Sequence, residues 1–351
     1  MQQFPNYMVL SITLVIWLLV CYIDIPRNKV GKKLWLMFIP AIYMMATRDV
    51  SVGLDTYQYS IHFENDMVLS WRELLTTKDF LFEGLMKLSG YVIGDYYFFQ
   101  VLYSIAYFSL YAYFIRNNCS NILLGALIFM SIGLFSWAMN VQRQMLSIAV
   151  MVVAWTCLKN NKIKVGFVLY FLACLIHAST LVFLPFIILT RIKLKTWILK
   201  ALPIVVLVAL FCYPIILPYV GVYVPIYEQY TNGSMEMAHG GNMVVILWML
   251  ELGIAIFIFY CAKKIDTTDR VACLGVMFYV GANFLGFYFP YAERVGLVGF
   301  PFTIIVFDRL YRIIPSVQIK RLYAGCSVIC FLIYLYMSLT TEELTYRPFY
   351  V

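Results

Sequence analysis

The sequence predicts an all-α, polytopic integral membrane protein, a single transmembrane domain over residues 1–351, and three observations carry that expectation. The chain is 63% hydrophobic and 13% charged with a mean hydropathy of +0.83, too little polar surface to clothe a soluble globule of 351 residues. Its apolar stretches run about 15 to 25 residues between short polar joints, the length of membrane helices, without the period-two alternation of barrel strands. Basic clusters mark the joints: Arg27, Lys29, Lys32 and Lys33; Lys159, Lys162 and Lys164; Arg191, Lys193, Lys195 and Lys200; Lys263, Lys264 and Arg270; Arg309, Arg312, Lys320 and Arg321. The positive-inside rule puts each cluster in the cytoplasm.

With the amino end outside, spans fall near 8–24, 34–47, 96–115, 121–138, 143–158, 198–218, 243–262, 271–290, 295–311 and 322–339. The first lacks the basic n-region and small-x-small cleavage site of a signal peptide, so it reads as a retained helix. Between Lys164 and Arg191 the chain is basic at both ends, and a single crossing there would throw every later cluster outside. A hairpin with arms near 165–177 and 179–190 avoids this. Each arm is roughly 20 Å long against a hydrocarbon core of about 30 Å, so the tip at Ile176 to Thr180 is expected to be sunk below the outer surface. The segment Phe80 to Ile93 is also short, carries Glu83 and Lys87, and reads as re-entrant or interfacial on the outside. The threading gives about twelve membrane-embedded helices including the short hairpin, with both termini outside.

Several functions are excluded at this stage. The nine cysteines lie in or beside apolar spans, with no C-x-x-C and no histidine at zinc spacing, so neither a disulfide framework nor a metal site is indicated. The net charge of +8 is dispersed among loops instead of forming a stripe, which argues against a nucleic-acid partner. No internal repeat, low-complexity tract or soluble domain is evident.

The threading gathers most of the non-lysine polar chemistry on the outer side. Asn140-Val141-Gln142-Arg143-Gln144 opens an inward-running helix, whose free N–H groups and the Arg143 fork suit a phosphate or diphosphate. The alternative is that Asn140 merely caps the helix while Arg143 snorkels. Glu293-Arg294 repeats the theme at another inward helix, and Arg48 ends an outward one, where a cation also complements the dipole. Three arginines on a face that usually sheds positive charge suggest an anionic ligand.

Asp55, in the turn Gly53-Leu54-Asp55-Thr56-Tyr57, is placed either to accept the proton of a sugar hydroxyl or to cap the next helix. Glu83 in a short apolar segment is costly unless paired, with Lys87 at i+4 as the plain partner. His177 stands at the hairpin tip and Glu251 inside a span; each is equally readable as a hydrogen-bonded packing residue. Tyrosines concentrate on outer segments, Tyr57 among them, as sugar-stacking rings or interface anchors.

The order of these motifs resembles the EpsG family of Wzy-type bacterial polysaccharide polymerases. It is carried by Arg48, then Gly53, Asp55 and Thr56, then Glu83-Gly84, then Asn140, Arg143 and Gln144, then His177 and Ser179, and more loosely Arg294. The resemblance implies a GT-C-like helical architecture and a metal-independent, cofactor-free glycosyltransferase in the bacterial cytoplasmic (inner) membrane, with its active site on the periplasmic or extracellular side. It implies undecaprenyl-diphosphate-linked oligosaccharides as substrates, joined into exopolysaccharide, capsule or O-antigen, with a chain-length regulator and a flippase as further partners. On that footing Asp55, Glu83 and His177 are the candidate bases, and Arg48, Asn140, Arg143, Gln144, Arg294 and Tyr57 the candidate substrate ligands. A transporter or flippase of lipid-linked oligosaccharides, or an O-antigen-type ligase, is the rival reading.

Overall fold

The computed structural model describes residues 30–53, 55–192, 200–208, 242–261, 267–287 and 292–339, together with residues 16, 197, 212 and 215. The expected span 8–24, most of 198–218 and of the loop 219–242, the tyrosines Tyr219, Tyr223, Tyr227, Tyr230, Tyr288, Tyr291 and Tyr346, and the cations Arg27, Lys29, Lys193, Lys195, Lys263 and Lys264 lie outside these residues. Among the described residues there is no β-strand. The helices are α1 (Val30–Ala46), α2 (Thr56–Val68), α3 (Trp71–Leu74), α4 (Phe80–Val92), α5 (Tyr96–Asn118), α6 (Ile122–Ser131), α7 (Leu134–Asn140), α8 (Gln142–Lys159) and α9 (Ile163–Ile176). They continue, after a 3-10 turn at Ala178–Phe183, with α10 (Leu184–Leu189), α11 (Asn242–Cys261), α12 (Thr267–Gly286), α13 (Ala292–Gly296), α14 (Phe302–Ile313) and α15 (Val317–Leu339). By packing, the chain divides into two compact units, one of Met1–Thr180 with Ser316–Val351 and one of Leu181–Pro315.

The core of the first unit is α8. Every residue from Gln144 to Leu158 on it is buried, which matches its all-round apolar sequence, and α5, α7 and α9 pack against it. α9 buries Tyr170 and Ala173 on one side and turns Phe167, Val168 and Phe171 outward. An exposed stripe of that kind fits lipid better than water. α5 begins where the Asp95 side chain accepts the amide of Tyr97, and its 23 residues are long and apolar enough to cross a membrane.

The single span expected over 121–138 is interrupted. α6 stops at Ser131, Gly133 takes a left-handed φ of 101°, and α7 leaves at 45° to α6; the bent pair passes the same length and apolarity test only when counted together. A second interruption follows at Val141, before α8.

That second break leaves carbonyls at the end of α7 without helical partners, and side chains from three other segments meet them. The Ala138 carbonyl accepts Tyr103 Oη from α5 at 2.9 Å. The Met139 carbonyl accepts Thr56 Oγ1 at 2.9 Å and Arg48 Nη2 at 3.3 Å. Arg48 is fully buried and also donates to the Met45 carbonyl at 2.8 Å, while Gln100 Nε2 donates to the carbonyls of Ala46 and Arg48, closing the end of α1. Gly53 presses its backbone on the same break at φ 94°: a Cβ there would lie 2.8 Å from both the Met139 carbonyl and Asn140 Oδ1.

Between α2 and α4 the chain turns at a capping box of Ser70 and Glu73, and α2 and α4 pack against each other. α4 buries Glu83 and Lys87 beside Phe82 and Met86, while Leu85, Leu88 and Tyr91 are exposed. Lys87 is not the partner of Glu83 that the i+4 spacing suggested. Its Nζ donates to the carbonyls of Asp66, Met67 and Leu69 at 2.6, 3.1 and 2.5 Å, at the last turn and C-cap of α2, where carbonyls have no intrahelical partner.

In the second unit α12 packs against α10, α11, α13 and α14. The helix expected over 295–311 begins later, at Phe302, after a turn in which Gly299 sits directly on the Gly275 carbonyl, an approach only glycine permits. Arg309 is clasped between Asp269 (2.6 Å) and Asp308 (3.0 Å).

Gly53→Ala should therefore destabilise the fold by about 1–3 kcal/mol, through a strained φ and a clash at the Met139 carbonyl. The expected outcome is a lower thermal midpoint of the detergent-solubilised protein; an unchanged midpoint would show that the break does not depend on this contact.

Candidate functional site

At the outset of α8, Arg143 is the second helical residue and keeps 30% of its side chain exposed. The first turn is fixed from the side by Gln142, whose amide donates to Tyr96 Oη at 3.0 Å. Asn140 does not cap the helix: the capping position is Val141, with no side-chain cap, and Asn140 ends α7 instead.

Arg143 meets a carboxylate that the sequence did not single out. Asp79 occupies the N-cap position of α4 yet makes no capping bond with its side chain. Its Oδ2 lies 2.9 Å from Arg143 Nη1 and its Oδ1 lies 3.0 Å from His177 Nδ1, with the Asp79 side chain 1% exposed. His177 is presented by the C-cap of α9, where its extended backbone leads into the 3-10 turn at Ala178–Phe183, the tip. The tip is held by Tyr170 Oη on the Thr180 carbonyl at 2.9 Å and by a short hydrogen bond between Ser147 and Thr180. One carboxylate therefore orients a guanidinium from one helix and an imidazole from another.

Two further groups complete the cluster. Glu83, in the first turn of α4, places Oε1 3.9 Å from Arg143 Nη1, and its Oε2 is buried without a hydrogen-bond partner. Tyr59 of α2 lies under the guanidinium, 5.4 Å from ring centroid to Cζ. Burial alone would raise the Asp79 carboxyl, but the hydrogen bond from His177 and the charges of His177 and Arg143 outweigh it and hold the group below the usual carboxylate range. Burial pushes the Tyr59 phenol up, against the pull of Arg143.

Of the residues expected to form a site, the structure brings Arg143, Glu83 and His177 together. Arg48 and Asn140 lie instead at the α7–α8 break. Asp55 stands at the N-cap of α2 with no side-chain cap bond, and Tyr57 is 58% exposed on the first turn. Gln144 is buried on α8, and Arg294 belongs to α13 of the second unit. Glu251 is fully buried on α11. Among the described residues no three His, Cys, Asp or Glu side chains are grouped to hold a metal ion. Sequence reasoning missed Asp79; Tyr59 was among the tyrosines expected on outer segments. The one signal for Asp79 was its place before the apolar run Phe80-Leu81-Phe82, which reads as an ordinary helix cap.

The Asp79–Arg143 pair should couple by about 1–3 kcal/mol in a double-mutant cycle on unfolding, discounted for the partly exposed arginine, and Glu83–Arg143 by less than about 1 kcal/mol. Because the folded-state value of Asp79 is lowered, its contribution is present above the unfolded value near about 4 and is lost as pH falls through the folded one. Asp79→Asn should remove that acid-side dependence; stability curves that overlay from neutral to acid pH would refute the pairing.

The family model described as the EpsG family matches residues 32–350 of the chain. No curated protein and no solved structure matches it.

Proposed function

The chain belongs to the EpsG family, a family of Wzy-type polymerases acting on lipid-linked oligosaccharides in a membrane, and we propose that it polymerises polyprenyl-diphosphate-linked repeat units. In this reading the growing chain passes from its lipid carrier to the non-reducing sugar of a new lipid-linked repeat, on the outer face of the cytoplasmic membrane, within a GT-C-like helical frame. A flippase supplies the repeats and a chain-length regulator works alongside.

The observation that supports this most directly is the convergence of Arg143, Asp79, Glu83 and His177 at one end of α8. In the transfer, the bond from the anomeric carbon to the diphosphate oxygen breaks, a bond to the acceptor hydroxyl oxygen forms, and the hydroxyl proton goes to a base. The leaving diphosphate gathers negative charge, which a preoriented guanidinium offsets. Asp79 engages one Nη1 proton of a fork that carries five, so the exposed edge of Arg143 remains available for phosphate oxygens. Glu83 and His177 are the basic groups of the cluster, and Asp79 fixes the imidazole through Nδ1. Arg48, Thr56 and Asn140 serve the reaction by holding the break that sets Arg143 in place, and Arg294 is a separate candidate for the donor's phosphate.

If a bidentate phosphate contact matters, Arg143→Lys should lose about 100-fold or more in polymer formation, nearly as much as Arg143→Ala. Chain-length analysis of surface glycan from complemented deletion strains reads this. The deletion strain should keep single lipid-linked repeats on the outer leaflet; repeats trapped inside would indicate a flippase, and finished polymer retained on its carrier a ligase.

A further inference from the structure

α4 turns Leu85, Leu88 and Val92 out of the molecule, at i, i+3 and i+7 on one helical face, with Leu88 53% and Val92 72% exposed. Trp71 of α3 lies along the neighbouring row of α4. A Cβ on Gly84 would stand 3.7 Å from its ring, and its ring centroid is 6.2 Å from that of Tyr91. Both rings are exposed, and Lys87 Nζ sits 5.8 Å from the Trp71 centroid and 5.6 Å from the Tyr91 centroid. The three protons of Lys87 go to three carbonyls at the end of α2, which leaves none for an external anion.

α2, packed against α4, presents a different surface: Gln58, His62 and Asn65, at i, i+4 and i+7, are exposed. The pair of helices thus offers one polar face and one apolar face, and water suits only the first. Lipid is the occupant that the surroundings of the second favour. α4 packs against α9, whose exposed Phe167, Val168 and Phe171 form the lipid-suited stripe described above, and Asp79 Oδ1 at the start of α4 meets His177 Nδ1 at the end of α9 at 3.0 Å. The 13 residues of α4 rise about 20 Å, short of a hydrocarbon core of about 30 Å, and Glu83 and Lys87 make a crossing costly. Tryptophan and tyrosine gather at the membrane–water boundary, where the ring meets acyl chains and its polar edge meets water.

We propose that α3 and α4 form a membrane-docking surface lying along that boundary, with Leu85, Leu88 and Val92 among the acyl chains and Trp71 and Tyr91 at headgroup level. The partner is the lipid bilayer, and the anchor is aromatic, because Lys87 is engaged by backbone carbonyls. A helix lying this way buries its apolar face about 5–10 Å into the headgroup–acyl boundary. Since α4 also carries Glu83 and is capped by Asp79, the two carboxyl groups beside Arg143 are held near the level of lipid phosphates. The surface stands whether or not the polymerase reading does, because its test involves no turnover.

The test is carbene labelling of the wild-type chain in lipid nanodiscs by a hydrophobic diazirine dissolved in the acyl region, read by peptide mass spectrometry. Leu85, Leu88 and Val92 should take up about fivefold more label than the exposed residues of α2. Labelling should be the same in phosphatidylcholine and in phosphatidylglycerol, since no cation of the anchor reaches for anionic headgroups. Label confined to phosphatidylglycerol overturns the aromatic anchor. Equal labelling of α2 and α4 puts both in one environment, and an unlabelled α4 is covered by protein, a second copy included; either result overturns the docking surface.

Leu88→Asp gives an independent readout. On a water-facing surface such a change leaves stability nearly unchanged, whereas among acyl chains it is costly. The thermal midpoint in nanodiscs should fall by about 2 °C or more, and Leu88→Met should keep the wild-type value. A Leu88→Asp midpoint equal to that of the wild type overturns the proposal.

Discussion

The structure of the Arg143 cluster depends on one interrupted helix. An unbroken helix through residues 134–159 would satisfy its own carbonyls at Ala138 and Met139, and would carry Arg143 round on a different face. The break at Val141 orphans those carbonyls inside the bundle, where an unmet acceptor costs about 1–3 kcal/mol. Tyr103, Thr56 and Arg48 supply the missing donors from α5, α2 and the end of α1. The first unit is therefore tied together at the point where α8 begins. Arg48 is a buried cation whose charge serves backbone dipoles, while Arg143, less buried by far, keeps part of its guanidinium exposed beside Asp79.

The same economy of donors shapes α2 and α4. Lys87 closes the carbonyl end of α2, so α2 is pinned against α4 without a cation being spent on Glu83. Asp79 forgoes the cap of its own helix to bind Arg143 and His177. In each case a side chain that local rules assign to its own helix is drawn to a neighbouring one. The cluster sets two carboxyl groups, Asp79 and Glu83, beside one guanidinium, and the second oxygen of Asp79 faces the His177 imidazole.

Much of this could be seen in the sequence, and the limits are physical. The helical class, α5 near 96–115 and α8 near 143–158 follow from apolar run length and the placement of lysines, which are local properties. The motif residues Arg48, Gly53, Thr56 and Asn140 do converge, but on a helix break, because spacing cannot distinguish a donor aimed at a ligand from one aimed at an orphaned carbonyl. The bend at Gly133 was hidden, since one glycine in an apolar run is compatible with a straight helix. Lys87 was misjudged because i+4 proximity on one helix is a weak attraction, about 0.2–0.5 kcal/mol, against three charge-assisted bonds to a neighbouring helix end. Asp79 was invisible because a helix cap and a carboxylate that binds a neighbouring helix's arginine share the same local signature.

Coulomb's law explains which carboxylate holds the arginine. Near a protein surface two charges about 4 Å apart attract by about 4 kcal/mol, and in bulk water by about 1 kcal/mol, so burial sharpens small differences in distance. Asp79 gains both the shorter contact and a direct hydrogen bond, at 2.9 Å against 3.9 Å for Glu83. It is also the carboxylate whose second oxygen is satisfied by His177, so its charge is compensated twice. Glu83 is left with the weaker attraction and one oxygen that no donor meets. A base must hold its electron pair loosely enough to give it to a proton. On the proposed reading, the geometry that makes Asp79 a good anchor makes it a poor base, and that part falls to Glu83.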